Sequence, residues 1–310
     1  MKRDIMQILS TDQKTQLNVM SWLPEEKPWA ILQVAHGMVE YIERYDRFGR
    51  AMAEAGVLVL GNDHLGHGDS VESTEDWGFF AEKNGNEFVL QDIYQIYKQT
   101  HEAYPDVPYF LLGHSMGSFF ARQFIYRFPE ADLAGVIIMG TSMQPKIAVQ
   151  SGRFLASVIE RFRGPRYRSP LMKKLVLGEN NKPFKEERET GSEWLSRDHE
   201  IVDKYVNEPR NSFLFTVRAY IDMFDGLLTL YNEDNLKQMR RDLPVLLTSG
   251  SDDPVGGMGQ AIATLSAQYK KIGMSKVQVK EYPGARHELL NEINAEEVDR
   301  DLLAFLRENV

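Results

Sequence analysis

The chain reads as an α/β protein, a mostly parallel sheet covered by helices on both faces and interrupted by a helical insertion. Three observations point there. Short apolar runs of strand length alternate with stretches of helical periodicity. The longest of these runs, 57–60 and 136–139, are far too short to span a bilayer. Between about 142 and 241 the strand-like runs stop and amphipathic helical stretches take over.

Taken in order, residues 5–9 and 16–22 read as an opening hairpin, and 29–35 as a third strand ending at His36-Gly37. Tyr45, Phe48, Met52 and Ala55 then recur at helical spacing, and Gly56 stops that helix before the buried-type strand 57–60. A helix over about 88–104, a strand at 109–112, a helix at 118–128 and a strand at 135–139 continue the alternation. The densest apolar stretch of the insertion is 213–230. Leu214, Val217, Ile221, Phe224 and Leu228 form one stripe there, while Phe213, Tyr220, Met223 and Leu227 cover another side, so this helix needs two packing partners. The sheet resumes at 245–249, followed by a helix at 260–272 and a strand at 277–282. A closing helix has Asn294 as its expected N-cap and Val298, Leu302, Phe305 and Leu306 on its buried face. The expected organisation is a core of 1–141 and 242–310 with 142–241 inserted as a helical cap.

With 310 residues and 43% hydrophobic content, the chain is large enough to bury a sizeable core. A net charge of -9 argues against a nucleic-acid binder that works by neutralising phosphates, and favours small-molecule partners. The absence of cysteine excludes disulfides, thiolate metal sites and thiol nucleophiles. Asp4, Gln7, Asp12, Gln13 and Lys14 break any apolar stretch that could serve as a secretion signal, so a cytoplasmic location is expected.

Gly113-His114-Ser115-Met116-Gly117 lies between the 109–112 run and the helix that follows, which puts one serine on a strand-to-helix corner. Such a corner holds the serine in a strained backbone with its hydroxyl exposed above the sheet edge, and the glycines let neighbouring backbones approach. The next residue opens the helix, so its N–H is among the unpaired donors that can face a developing oxyanion. A serine used in this way needs a base, and the base needs an acid. Of the seven histidines, His287 follows the last strand in a Pro/Gly loop at the carboxyl edge of the sheet. His36, His64, His67 and His114 belong to local motifs near other strand ends, while His101 and His199 fall in polar stretches. For the acid, the turn after strand 245–249 offers both Asp252 and Asp253, and spacing alone does not choose between them. The His36-Gly37-Met38-Val39-Glu40 loop is placed to supply a second N–H donor, from Met38.

These motifs, with Asp63-His64-x-Gly66-His67-Gly68-x-Ser70, resemble the α/β-hydrolase superfamily, and more closely its monoacylglycerol lipase and lysophospholipase-like serine hydrolases. The likeness covers nearly the whole chain, including a cap between core strands six and seven. It implies an α/β-hydrolase fold with Ser115 as nucleophile, His287 as base, Asp253 as acid, and Met38 and Met116 as oxyanion donors. Gly37, Gly113 and Gly117 are then the glycines of the oxyanion loop and the elbow. The reaction implied is hydrolysis of a small acyl ester, a monoacylglycerol or lysophospholipid-like one, with no cofactor. A short-chain or aromatic carboxylesterase, a proline-type aminopeptidase, and a ligand sensor without turnover stand as alternatives on the same fold. Leu155, Ile159, Phe162, Phe213, Tyr220, Met223 and Phe224 are expected to line an acyl pocket.

Other signals are set aside. Asp63, His64, His67 and Asp69 crowd together but sit among glycines, without a zinc-type framework elsewhere. Gly66-x-Gly68 and Gly257-x-Gly259 lack the third glycine of a dinucleotide fingerprint. Arg153, Arg161, Arg163, Arg166, Arg168, Lys173 and Lys174 carry Glu160 as their only acid. That run is read as a solvated face paired with Glu186, Glu187 and Glu189, and alternatively as a surface that makes transient contact with anionic membranes.

Overall fold

The computed structural model describes residues 1–187 and 190–310. Apolar runs of about six residues become its central strands. β1 (Lys2–Leu9) and β2 (Gln16–Leu23) form the opening hairpin, and β3 (Ala30–Ala35) follows. α1 (Asp46–Glu54) leads to β4 (Val57–Asn62), and α2 (Gly85–Ala103) to β5 (Tyr109–His114). α3 (Met116–Arg127) leads to β6 (Leu133–Met139). Between β6 and the next strand the chain forms α4 (Lys146–Arg163), α5 (Pro170–Leu177), α6 (His199–Asn207), α7 (Val217–Thr229) and α8 (Glu233–Lys237). β7 (Val245–Gly250), α9 (Gln260–Lys271), β8 (Val277–Tyr282) and α10 (Ala295–Glu308) complete the chain.

The strands make one eight-stranded sheet in the order β1-β2-β4-β3-β5-β6-β7-β8. β1 and β2 pair antiparallel, as do β2 and β4, and every pairing from β4 to β8 is parallel. β3 to β7 are buried along nearly their whole length, as expected of parallel strands covered on both faces. Phe48 and Met52 of α1 and Val298, Leu302 and Phe305 of α10 pack one face. α2, α3 and α9 pack the other, with Ile93, Phe120, Phe124 and Leu265 at the centre of that layer. The carboxyl ends of β3, β5, β7 and β8 therefore come out on one edge.

Two local expectations need correction. The 213–230 stretch is not one helix. Thr216 caps α7 by accepting from Ala219 N–H, and its own N–H donates to Gly78 O at 2.9 Å, so residues 213–215 stay outside the helix. The helix proper is buried on two sides, against α4 and against α2 and α3. Asn294 does stand at the N-cap of α10, but its side chain makes no cap bond. Its Oδ1 accepts instead from Arg197 at 2.8 Å.

The basic run finds other partners than expected. Arg153 pairs with Asp225 and Glu160 with Arg218, both on α7, while Arg166 reaches Asp76 at 2.7 Å. Arg168 donates to the carbonyls of Glu75 and Trp77. Glu187 turns the opposite way, onto Arg286, Glu186 meets Lys185, and Glu189 lies outside the described residues. The cause is geometric: α4 lies along α7, whereas 186–187 sits over the loop after β8.

Candidate active site

Ser115 is the single residue between β5 and α3, and its φ of +53 places it where side chains other than glycine are strained. Its neighbours enforce the corner. A Cβ on Gly117 would come within 1.9 Å of Ala35 O, and one on Gly113 within 2.3 Å of Gly117 O, so neither position accepts a side chain. Ser115 N–H donates to Met139 O at 2.9 Å, which ties the corner to β6. Met116 is the first residue of α3, so its N–H has no acceptor within the helix.

Asp253 lies in the turn after β7 and His287 in the loop after β8, both buried. Nδ1 of His287 is 3.0 Å from each carboxylate oxygen of Asp253. Asp253 Oδ1 also accepts from Val255 N–H at 2.9 Å, which fixes the carboxylate in its turn. Asp252 is half-buried and faces elsewhere, accepting from the Ser251 hydroxyl. A carboxylate only accepts, so the ring proton of His287 sits on Nδ1 and Nε2 is the basic nitrogen. The ring lies beside Trp194, with centroids 5.1 Å apart. Ser115 and His287 line one cavity, and no hydrogen bond joins their side chains among the described residues.

The 36–40 loop closes the same cavity, with Gly37, Met38, Val39 and Glu40 in its wall. Glu40 accepts from Gly37 N–H, from the Tyr45 hydroxyl at 3.1 Å and from His114 Nδ1 at 2.9 Å. Arg44 bridges Glu40 at 3.0 Å and Glu288 through two bonds of 2.7 and 2.6 Å. Burial pushes the Glu40 carboxyl up, but His114 and Arg44 beside it outweigh that and hold it well below the usual carboxylate range. Arg44 and Glu288 escaped the sequence reading. The i,i+4 spacing of Glu40 and Arg44 was the available signal, whereas Glu288 is 244 residues away along the chain.

Below this loop, His36, His64 and His67 pack together in tilted and edge-to-face contacts, with centroids 4.1 to 6.4 Å apart. His36 Nε2 accepts from His64 N–H at 2.9 Å, so its proton is on Nδ1, facing Gly37 O. Burial lowers the pKa of all three imidazoles, that of His67 to about 3, so they are neutral. Asp63 accepts from Ile42 N–H, Asn18 and Asp69 N–H. The motif therefore spends its polar groups on holding loops together, and among the described residues no cluster is arranged to hold a metal ion.

The cavity measures about 710 Å³. Of the expected acyl-pocket residues, Leu155, Met223 and Phe224 line it. The other four do not. Phe162 is 76% exposed, because only the first half of α4 borders the cavity, and Ile159 packs against the core. Phe213 stacks over Trp77, and Tyr220 is buried against Phe215. Val149, Met172, Val176 and Leu227 line the cavity in their place.

Residues 26–294 match the model of the Hydrolase_4 family, described as serine aminopeptidase, S33. The chain belongs to the Hydrolase_4 family. This Hydrolase_4 protein is 26% identical over 280 residues to mouse monoglyceride lipase, across 88% of this chain and 80% of the relative. It is 24% identical to the monoacylglycerol lipase of Mycolicibacterium smegmatis, across 92% and 90%. In structure it is similar to a thermostable carboxyl esterase from Bacillus coagulans solved with glycerol, with a TM-score of 0.90 and 27% identity over 100% of this chain and 99% of that one. The Hydrolase_4 chain is a carboxylic ester hydrolase with the α/β-hydrolase fold. Among the described residues, none of its helices is long and apolar enough to cross a membrane.

Proposed function

We propose that the protein hydrolyses long-chain acyl esters of small polar alcohols, monoacylglycerols or lysophospholipid-like molecules, through an acyl-enzyme on Ser115. The observation that carries this reading is a single one. Ser115 and His287, the latter backed by buried Asp253, open into one cavity walled by apolar side chains from α4, α5 and α7, among them Val149, Leu155, Met172, Met223, Phe224 and Leu227. Residues 142–241 act in this reading as the cap that selects the acyl group.

In the proposed reaction, Ser115 Oγ attacks the ester carbonyl carbon and its proton passes to His287 Nε2. The N–H groups of Met38 and Met116 hold the oxyanion, an effect worth about 3 kcal/mol per donor in well-formed sites. Collapse breaks the bond to the alcohol oxygen, which takes the proton from Nε2 and leaves. Water then attacks the acyl-enzyme, gives one proton to Nε2, and the second tetrahedral species releases the fatty acid as the proton returns to Ser115. Asp253 stays ionised and keeps His287 in the required tautomer.

Peptide substrates fit less well. An aminopeptidase needs a free carboxylate for the substrate ammonium, whereas Glu40 and Glu288 on the cavity wall are bound by Arg44, and Glu179 is a largely exposed side chain beside Lys182. Lipid aggregates are the natural source of the proposed substrate. α4, its exposed last turn and α5 leave Ile147, Phe154, Phe162 and Leu171 open to solvent along with Arg161, Lys173 and Lys174, a pattern suited to anionic lipid surfaces. Acyl-chain profiling with glyceryl esters tests the main reading, with Ser115→Ala as the blank. Activity that rises from acetyl to decanoyl supports it, and a preference for acetyl overturns it. Sedimentation with anionic vesicles at low salt tests the surface contact, and no binding removes it.

A further inference from the structure

The loop that carries Met38 is gripped from two sides. On the core side, Glu40 takes hydrogen bonds from Gly37 N–H, Tyr45 and His114. On the other side stands the end of α6 and the turn after it, more than 160 residues further along the chain. Tyr205 donates its hydroxyl to Val39 O at 3.2 Å, and its ring faces the Arg44 guanidinium at 4.9 Å. Glu208 accepts from the Tyr41 hydroxyl at 3.2 Å. Arg210 lies 3.8 Å over the Tyr41 ring and reaches Glu43 at 3.5 Å.

Val39 gives this grip a chemical consequence. Its φ is +56, in the left-handed region that a β-branched side chain resists. Such a conformation persists only where the surroundings over-determine it, and here the carbonyl of the strained residue is the acceptor for Tyr205. Met38 immediately precedes Val39, so any relaxation of that turn re-aims the Met38 amide.

We propose that Tyr205 is a positioning residue for the oxyanion hole. Its hydroxyl holds Val39 in the strained conformation, and the inserted helices must be seated on residues 39–44 for the hole to form. The proposal rests on the reading of Met38 N–H as an oxyanion donor. It makes the insertion part of the machinery that stabilises the transition state, in addition to its contribution to the cavity wall.

Tyr205→Phe removes the hydroxyl and keeps the ring. With a soluble ester, kcat is expected to fall about 3- to 10-fold, the range set by one hydrogen bond, with KM unchanged. Affinity for a trifluoromethyl ketone of matching chain length, bound as an oxyanionic hemiketal, should fall by the same factor. Val39→Gly in the Tyr205→Phe background should recover most of the loss, because glycine takes φ +56 without strain. A raised KM with kcat and ketone affinity intact would make Tyr205 a wall residue and overturn the proposal. A Val39→Gly change that recovers nothing would overturn it as well, and both results leave the reading of Ser115 and Met38 standing. If instead the wild-type protein binds the trifluoromethyl ketone no better than the methyl ketone, the reading of the hole itself fails and the proposal falls with it.

Discussion

Glu40 and His114 share a hydrogen bond of 2.9 Å, and the other ring nitrogen of His114 lies 3.2 Å from the backbone carbonyl of His287. Both partners are acceptors, so the protonated ring, with an N–H on each nitrogen, satisfies both. Burial opposes that charge, but Glu40, and Glu288 further off, outweigh it, and the pKa is raised. The ring ties the 36–40 loop to the loop of His287 directly beneath Ser115.

His114→Asn keeps a donor near Glu40 but removes the charge and the link to His287 O. It should cost about 1.5–3 kcal/mol, the range for a hydrogen bond to a charged group. The sign with pH follows from the raised pKa. The contribution is fully present below about pH 6.5 and is lost as pH rises through the folded-state value. Urea unfolding of wild type and variant at pH 6, 8 and 10 should therefore show a gap that narrows with pH. A gap that widens would contradict the assignment.

The three clustered imidazoles behave in the opposite sense. His67 is neutral in the fold with a pKa near 3, while an unfolded histidine takes up its proton near 6.5. The stability it contributes is present above 6.5 and is lost as pH falls from 6.5 towards 3. By linkage this is about 2 kcal/mol between pH 8 and pH 5 from His67 alone. His67→Leu, which has nothing to titrate, should lose that much less stability than the wild type over the same interval. Equal losses in the two proteins would mean that His67 carries a proton in the fold.

The order of elements was legible because each buried strand is a short apolar run closed by a loop signal, as at His36-Gly37 and Gly113. The same logic placed Ser115, Asp253 and His287 at one sheet edge, since each follows a strand whose direction the alternation dictates. The choice between Asp252 and Asp253 was not legible. Adjacent residues in a turn differ only in where their side chains point, and that depends on Val255 N–H and the His287 ring. Leu155 and Phe162 were equally indistinct, being seven residues apart on one helix face and separated only by where the cavity ends. Tyr205 left no local trace, because its partner Val39 is 166 residues distant.

That boundary on α4 yields a further expectation. Leu155→Trp adds bulk inside the cavity and should lower kcat/KM for decanoyl esters at least 10-fold while sparing acetyl esters, in line with the worth of pocket methylenes. Phe162→Ala should leave both rates unchanged on soluble esters, since the ring is exposed, and should weaken only vesicle binding. Chain-length profiles and sedimentation separate the two effects. A decanoyl-specific loss from Phe162→Ala would place that ring in the acyl path.

The two aspartates give the most direct test of the assignment. Asp253 is fully buried with both oxygens 3.0 Å from His287 Nδ1, so Asp253→Asn replaces an acceptor by an amide that can also donate. If the amide nitrogen turns to the ring, Nδ1 must accept, the proton moves to Nε2, and the nitrogen that should deprotonate Ser115 no longer can. A kcat loss of about ten-thousand-fold is expected, with the fold intact. Asp252→Asn changes only a half-buried side chain that accepts from Ser251, and turnover should stay within a few-fold of wild type. Steady-state rates with circular dichroism on both variants check this. The reverse outcome would move the acid to Asp252 and require the 250–255 turn to reorganise when substrate binds.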